Sequence, residues 1–300
     1  MRIGGWAKKV IRRVFRWVLS KPRRADIGSQ TLKKILNRLD RLTVRAQDVQ
    51  RLVAAAQRNV PSEIFNFDRT ARLSVSVMSP YAPWLSVAPA KIDTPAMISY
   101  EEAQYYTYLG SFYEGRGRVV ELGPWLGAST QHIVLSLAKN PKFAGEQLYV
   151  FDDFIWRKDW MDQHVSEEER LPAHACFRHL FDKYTVGVHQ FLNVSRVKIA
   201  DDEGNEELPV LSWCGDPIEI LYVDCGRTYD VNEAWYNRLQ SSFIPGRTLI
   251  VMQDWRTHRE VPREWYNQTL AFTESKQDAL TLLHEVKSGW LATFLFTGNG

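Results

Sequence analysis

Four acidic side chains stand at or just beyond the ends of apolar segments that predict strands: Glu121, Asp152, Asp224 and Asp254. In an open parallel sheet the carboxyl ends of the strands form the ligand crevice, so these carboxylates should converge on one edge. A single acid after a strand is commonly a helix cap, but four at one edge indicate a binding site. Such groups can accept hydrogen bonds, remove a proton or hold a hard cation.

The loop after the first of these strands carries two glycines, Gly123 and Gly127, and a helix is predicted to begin at Ser129 or Thr130. Glycine lets the backbone turn sharply and approach a bulky ligand, and a helix N-terminus attracts anionic groups. This pattern predicts a nucleotide-like ligand. It disfavours NAD, whose fingerprint is Gly-x-Gly-x-x-Gly, because Trp125 stands at the middle glycine position.

A polar loop, residues 155–166, follows the strand that ends at Asp152. It contains two tryptophans and several charged or titratable side chains: Trp156, Trp160, Arg157, Asp159, Asp162 and His164. Aromatic faces stack on sugar rings and carboxylates bind their hydroxyls, so the loop predicts a sugar acceptor held by Trp156, Trp160 and His164. The alternative is that one or both tryptophans belong to the core.

The elements that must position these residues alternate between strand and helix. Strands are predicted at 118–122, 147–152, 196–200, 217–224, 247–253, 281–286 and 290–296, and helices at 100–113, 128–139, 167–184, 229–241 and within 261–276. This order predicts an α/β fold with a doubly wound, mostly parallel sheet. Only Lys287-Ser288-Gly289 separates the last two strands, so they should form an antiparallel hairpin at the sheet edge.

The first 60 residues differ in charge from the rest of the chain. They hold 16 Lys and Arg against 3 Asp and Glu, whereas the remainder holds 22 basic and 32 acidic residues. Residues 3–20 predict an amphipathic helix with tryptophans on one side and basic residues on the other, which suits an anionic membrane surface. Docking on the protein's own body is the alternative. The acidic remainder argues against nucleic acid as a substrate.

Residues 32–56 repeat apolar side chains with 3-4 spacing, which predicts a short coiled coil and therefore a homo-oligomer. Five prolines between residues 61 and 98 exclude long helices there and indicate a connector or lid. The predicted organisation is thus a basic amphipathic helix (1–24), a coiled-coil helix (27–58), a Pro-rich connector (61–98) and an α/β domain (99–300). Three widely spaced cysteines provide no disulfide framework, and the expected location is the cytoplasm, including the inner face of the membrane.

Four motifs in order resemble class I S-adenosylmethionine-dependent methyltransferases, in the branch of macrocin O-methyltransferase and the so-called cephalosporin hydroxylases. They are Glu121-Leu-Gly123-x-x-x-Gly127-x-Ser129, Phe151-Asp152-Asp153-Phe154, Ile220–Tyr229 with Asp224-Cys-Gly226-Arg227, and Ile244-Pro245-Gly246 followed by Val251–Trp255. The resemblance covers residues 94–300 and leaves out the first 60.

The resemblance implies S-adenosylmethionine as the cofactor. Its binding residues would be Glu121, Gly123, Gly127, Ser129 and Asp152, with Asp152 accepting hydrogen bonds from the ribose hydroxyls. Asp201 or Asp202 could accept from the adenine amino group, and the sequence does not separate the two.

The resemblance also implies a divalent cation, such as Mg²⁺, held by Asp224 and Asp254. The chain departs from the pattern here, since Arg227 replaces a histidine and Trp255 replaces a second acid or amide. The predicted catalytic residues are Asp224, Asp254 and the base His258. Arg227 is assigned to the acceptor, although an Arg227 salt bridge with the carboxylates is equally compatible with the sequence.

The sequence thus predicts O-methyl transfer to a hydroxyl of a sugar, on a surface glycan, a glycolipid or a glycosylated natural product. The departures at Arg227 and Trp255 keep open a non-catalytic scaffold that is oligomerised by the coiled coil. A hydroxylase would need an iron triad, and no His-x-Asp/Glu pair with a clear distal histidine lies at this edge.

Overall fold

A computed structural model describes residues 82–200, 207–261 and 264–298. The chain divides into two units, residues 1–50 and 51–300, and all described residues belong to the second. The predicted helix of residues 1–24, the coiled coil of residues 27–58 and the first part of the connector lie outside the described residues. In the described part of the chain, no helix has the length and apolar character needed to cross a membrane.

Seven strands form one sheet in the order β3-β2-β1-β4-β5-β7-β6. Their bounds are β1 Arg118–Leu122, β2 Leu148–Asp152, β3 Leu192–Arg196, β4 Ile218–Val223, β5 Leu249–Met252, β6 Leu280–Glu285 and β7 Ala292–Phe296. The first five strands pair in parallel, and β7 is antiparallel to both β5 and β6. The doubly wound, mostly parallel sheet predicted from the sequence is confirmed.

The antiparallel C-terminal hairpin predicted at the sheet edge is also confirmed. Its first strand, β6, is the edge strand, and its second strand, β7, inserts between β5 and β6. The hairpin turn is fixed by the N-terminus of a neighbouring helix, because the Ser288 and Trp290 amides donate to the Glu101 and Glu102 carboxylates.

The third strand lies four residues earlier than predicted, at Leu192–Arg196 instead of 196–200. Leu192 and Val194 supply the apolar side chains that pack on the core. The next residues leave the sheet after the Val197 amide donates to the Asp152 carbonyl. Residues 197–200 form a wall of the cavity described below.

Six α-helices occur in the described ranges. They are α1 Tyr100–Leu109, α2 Ala128–Leu137, α3 Lys158–Met161, α4 Arg178–Thr185, α5 Tyr229–Leu239 and α6 Glu264–Ser275. A capping box opens α1, where Ser99 and Glu102 each accept from the other's amide. The helix predicted over 167–184 is wrong in its first part, since Pro172 cannot continue a helix and only α4 forms.

The core lies on both faces of the sheet because neighbouring strand residues point to opposite sides. Val119 and Ile220 pack on the side of α1, α2 and α4. Val120 and Leu221 pack on the side of α5 and α6, where Trp235 is fully buried. Because both faces are covered by helices, the ends of the strands remain as the place for a ligand.

The described end of the connector, residues 82–98, lies over α1 and α2. Trp84 is buried and its indole donates to Glu101. Gln104 of α1 donates to the Leu85 and Val87 carbonyls, and Gln131 of α2 donates to Thr94. This segment therefore wraps the domain and ends beside the site at Met97.

Candidate active site

A cavity of about 250 Å³ lies beyond the carboxyl ends of β1, β2 and β4. The chain order of the strands reverses between β1 and β4, and ligands of open α/β sheets bind at this kind of position. The residues that line it and enter the argument below are Met97, Gly123, Trp125, Asp152, Asp153, Arg157, Trp160, Asp224, Cys225 and Arg227. Three of the four acids predicted to share an edge, Asp152, Asp224 and Asp254, thus line the cavity or bind a residue that does.

The loop after β1 brings its backbone close to the end of β4. Gly123 has φ +82°, and a Cβ there would lie 2.9 Å from the Asp224 carbonyl carbon and 3.0 Å from the Cys225 nitrogen. No other residue type fits this approach. Trp125 also has a left-handed backbone, with φ +46°, and its ring lines the cavity where a dinucleotide site would have glycine.

Gly127 serves packing and does not line the cavity. It caps α2 with φ +88°, and a Cβ there would collide with Thr185 and Phe181 of α4. Gly127 therefore has a packing role, and its contact with the cofactor stays a prediction.

Glu121 and Ser129 also face each other and not the cavity. The Glu121 carboxylate is buried and accepts hydrogen bonds from Ser129 Oγ at 2.6 Å and Thr130 Oγ1 at 2.7 Å. Burial raises the pKa of Glu121 to about 7, against the lowering effect of the two hydroxyls. Glu121 thus ties the end of β1 to the start of α2 and positions the loop between them.

Replacing Glu121 by glutamine is expected to flatten the pH dependence of stability. The folded-state pKa of about 7 exceeds the ordinary value of 4.5, so the folded protein binds more protons than the unfolded chain between these values. Stability should therefore fall as the pH rises from about 4.5 to about 7. Glutamine keeps both hydroxyl contacts without the buried charge, so E121Q should be more stable than the wild type at pH 8, by roughly 1–3 kcal/mol.

Urea unfolding at pH 5 and pH 8 measures this effect, with the exposed Glu167→Gln as the control. Parallel pH profiles for E121Q and the wild type would contradict it.

Asp152 ends β2 at the cavity wall. Its Oδ1 accepts the Phe154 amide at 2.5 Å, which closes a tight turn. Burial and the neighbouring Asp153 raise the pKa of Asp152 to about 7. Asp153 forms a salt bridge with Arg157 at 2.6 Å. Of the two neighbouring acids, Asp153 is therefore the one that a cation holds, and Asp152 is the one that faces the cavity without a salt bridge to any described residue.

The two tryptophans of the loop after β2 have different surroundings. Trp156 is fully buried, and its indole donates to Asp162 at 2.8 Å. The prediction that Trp156 contacts a sugar is therefore wrong, because the side chain belongs to the core. Trp160 of α3 lines the cavity and contacts Trp125 with ring centroids 5.7 Å apart.

His164 is exposed and contacts Trp125 edge-on, with ring centroids 6.0 Å apart. It is not among the residues that line the cavity, so its predicted contact with the acceptor finds no support there.

Asp224 ends β4 and lines the cavity beside Gly123. Burial raises the pKa of Asp224 well above its usual range, and the charge of Asp254 adds to this, whereas Arg227 opposes it. A carboxylate with a raised pKa in a cavity is a stronger base than an ordinary one.

Asp254 is joined to Arg227. Arg227 Nε and Nη2 lie 2.8 Å and 2.7 Å from Asp254 Oδ2. His258 does not line the cavity, since its Nδ1 lies against the Trp255 carbonyl and its ring packs on the Trp255 indole. The structure therefore does not place His258 as a base for chemistry in the cavity.

The described residues do not fit Mg²⁺. This ion prefers several oxygen ligands in octahedral geometry, but Asp254 is neutralised by Arg227, whose guanidinium also lies near Asp224. Within residues 82–200, 207–261 and 264–298, no three His, Cys, Asp or Glu side chains are grouped to hold a metal. Asp201 and Asp202 lie outside the described residues.

Trp125 and Met97 are among the cavity residues that were not predicted from the sequence. In the sequence, Trp125 serves only as an argument against NAD, because it stands where a glycine would be needed. Its place between Gly123 and Gly127 nevertheless predicts a contact with any ligand of that loop. Met97 has no such signal, because it reaches the cavity only through the path of the connector.

No protein-family model matches the chain, and no curated protein matches it in sequence. Among solved structures, the chain is similar to the O-methyltransferase NovP, with 15% identity, a TM-score of 0.44 and coverage of 68% of this chain and 83% of NovP. It is also similar to CalS11, a TDP-rhamnose 3'-O-methyltransferase, with 13% identity, a TM-score of 0.42 and coverage of 81% and 99%. A third is the methyltransferase MycE, solved with Mg, SAH and mycinamycin VI, with 15% identity, a TM-score of 0.39 and coverage of 77% and 55%.

Proposed function

We propose that this protein transfers a methyl group from S-adenosylmethionine to a hydroxyl of a sugar, on a glycan, a glycolipid or a glycosylated natural product. One observation carries the proposal. A single cavity at the strand ends is lined by the close-approach backbone of Gly123, by Asp152 and by Asp224. In this proposal the Gly123 backbone contacts the cofactor, Asp152 accepts hydrogen bonds from the cofactor's ribose, and Asp224 removes the proton from the substrate hydroxyl.

The cofactor would lie across the ends of β1 and β2. Asp152 accepts hydrogen bonds from the two ribose hydroxyls, and the cofactor passes along Gly123, where the missing side chain leaves room. Trp125 occupies the middle glycine position of a dinucleotide site with a buried indole. A pyrophosphate could not follow that path, so S-adenosylmethionine is favoured over NAD.

Asp224 is the proposed base. The acceptor hydroxyl gives its proton to the Asp224 carboxylate while its oxygen bonds to the methyl carbon. The bond between that carbon and sulfur breaks, its electron pair stays on sulfur, and the cofactor leaves as S-adenosylhomocysteine. Burial and the charge of Asp254 raise the pKa of Asp224, which makes its carboxylate a stronger base than an ordinary one.

The acceptor would meet aromatic and charged side chains on the β2 side of the cavity. Trp160 is partly exposed and packs against the buried Trp125, so the Trp160 ring offers a face on which a sugar can stack. The Arg157–Asp153 ion pair beside them provides donors and acceptors for hydroxyls. Of the two tryptophans that the sequence assigned to the acceptor, Trp160 keeps this role in the proposal. The membrane helix of residues 3–20 and the coiled coil of residues 32–56 remain predictions, and a lipid-linked acceptor would fit them.

Transfer of labelled methyl groups from S-adenosylmethionine to a panel of nucleotide sugars and glycolipids tests this function. With any accepted substrate, Asp224→Asn should lower the turnover rate about 10²–10⁴-fold while S-adenosylmethionine binding stays within a few-fold of the wild type. Asp216→Asn, an ion-paired acid before the start of β4, is the control. Labelling that Asp224→Asn leaves intact would contradict the role of Asp224. Cofactor binding with no transfer to any member of the panel would favour the scaffold.

A further inference from the structure

We propose that the guanidinium of Arg227, held by Asp254, supplies the positive charge of this site and excludes a divalent cation from it. The inference rests on the function proposed above and specifies its chemistry. The site would then act on its acceptor without a metal, although the sequence motifs resemble those of enzymes in which the two acids hold one.

The ion pair is close and shielded. Arg227 Nε and Nη2 both point at the same oxygen of Asp254, at 2.8 Å and 2.7 Å. The Asp254 side chain is only 14% exposed, whereas that of Arg227 is 40% exposed and lines the cavity. Asp254 is thus buried behind the arginine, and the charge that reaches the cavity is positive.

The backbone that carries Arg227 is built into the fold. Gly226 packs directly on Asn232 of α5, where a Cβ would collide with the Asn232 amide. Asn232 Nδ2 donates to the Gly226 and Thr228 carbonyls, and Thr269 of α6 donates to the carbonyls of Gly226 and Arg227. Two helices therefore fix the turn, and the arginine is not a loose surface side chain.

Asp254 is fixed just as firmly from the other side. It has a left-handed backbone with φ +59° between two anchored residues. Gln253 accepts from Tyr106 at 2.8 Å and donates to Glu102 at 2.9 Å. Trp255 is buried and donates to Thr273 at 3.0 Å. This explains the tryptophan that departs from the family pattern, because its side chain serves the core and offers no ligand.

The charges around the pair keep the arginine protonated. Burial would lower the pKa of Arg227, but the charges of Asp254 and Asp224 raise it above its ordinary value. A divalent ion between these acids would meet a guanidinium that already occupies the site, and like charges at this distance repel strongly. The hydroxyl oxygen of an acceptor is uncharged, so the Arg227 guanidinium does not repel it.

Arg227 has donors left for the reaction. A guanidinium carries five N–H groups, and Asp254 engages two nitrogens of Arg227. The others can donate to the acceptor oxygen while its proton moves to Asp224 and its new bond to the methyl carbon forms. A charge-assisted hydrogen bond of this kind stabilises developing negative charge on oxygen.

Titration of free Mn²⁺ by electron paramagnetic resonance tests the inference on the full chain without an acceptor. The wild type should leave Mn²⁺ free at concentrations where Arg227→Gln binds about one equivalent, an increase in affinity of at least about tenfold, because the two acids lose their neutralising partner. Adding Asp254→Asn to Arg227→Gln should abolish the new binding. Arg178→Gln, which frees Asp182 outside the cavity instead, is the matched control and should leave Mn²⁺ free as the wild type does.

Two results would overturn the inference: Mn²⁺ binding by the wild type that Asp254→Asn removes, or a folded Arg227→Gln variant that gains no Mn²⁺ binding. Calorimetric titration of the same proteins with S-adenosylmethionine separates this outcome from the proposed function. A chain that excludes Mn²⁺ but binds no S-adenosylmethionine would contradict the function and leave the charge assignment intact.

Discussion

Replacing Asp152 by alanine is expected to weaken S-adenosylmethionine binding about a hundredfold, because two hydrogen bonds from the ribose hydroxyls to a carboxylate are lost. The variant should not lose stability at pH 8. The pKa of Asp152 is raised to about 7 because the folded protein disfavours its negative charge. The free energy of unfolding therefore falls as the pH rises towards 7, and above pH 7 the charged carboxylate destabilises the folded state. Alanine removes the destabilising charge, and it also removes the hydrogen bond from the Phe154 amide.

Calorimetric titration gives the affinity, and urea unfolding at pH 8 gives the stability. Asp216→Ala removes an ion-paired acid at the amino-terminal ends of the strands, away from the cavity. This variant should leave the affinity unchanged. A loss of affinity in Asp152→Ala that appears only with a matching loss of stability would assign Asp152 to the fold and not to the ribose.

Replacing Gly123 by alanine is expected to abolish measurable cofactor binding and to destabilise the protein. The new Cβ would lie within about 3 Å of the Asp224 and Cys225 backbones, which cannot move without displacing the end of β4. Overpacking of this kind typically costs roughly 1–3 kcal/mol, in addition to the strain of a positive φ. Because Gly123 and Asp224 both line the cavity, a shift of even ~1 Å should cost at least about a hundredfold in function.

Gly145 offers a matched control for this variant. Its φ of +81° equals that of Gly123 within a degree, but no atom lies within 4 Å of the Cβ position. Gly145→Ala should therefore show only the cost of the left-handed backbone, about 1–2 kcal/mol, and bind S-adenosylmethionine normally. Equal effects of the two variants would show that the close approach at Gly123 has no consequence.

The sheet could be predicted from the sequence because apolar runs such as Ile218–Val223 are buried on both faces and bounded by turns. The prediction failed where a pattern was short. Residues 192–196 and 196–200 both alternate apolar and polar side chains, and the choice between them depends on pairing with β2, which is not visible in the chain. The insertion of β7 between β5 and β6 is likewise a matter of tertiary pairing.

The site shows the same division. Strand-end acids were predicted to meet because topology alone brings them together, and Asp152 and Asp224 do line one cavity. The different roles of Trp156 and Trp160 were not predictable from the sequence. They depend on tertiary contacts, since Trp156 packs on Phe177 and donates to Asp162, whereas Trp160 does neither. The role of Glu121 was missed because its hydroxyl partners, Ser129 and Thr130, belong to the same motif that suggested a ligand.

The pairing of Arg227 with Asp254 was one of two readings that the sequence allowed. The residues lie 27 positions apart, and only the parallel pairing of β4 with β5 brings their ends together. That pairing decides between a cation site and a salt bridge.

Calorimetric titration of the wild-type chain with S-adenosylmethionine, followed by the same titration with NAD, tests the central claim most directly. The account predicts that one molecule of S-adenosylmethionine binds per chain, that S-adenosylhomocysteine competes with it, and that NAD produces no saturable heat. Absence of saturable binding by S-adenosylmethionine, or preferential binding of NAD, would contradict the assignment of the cavity.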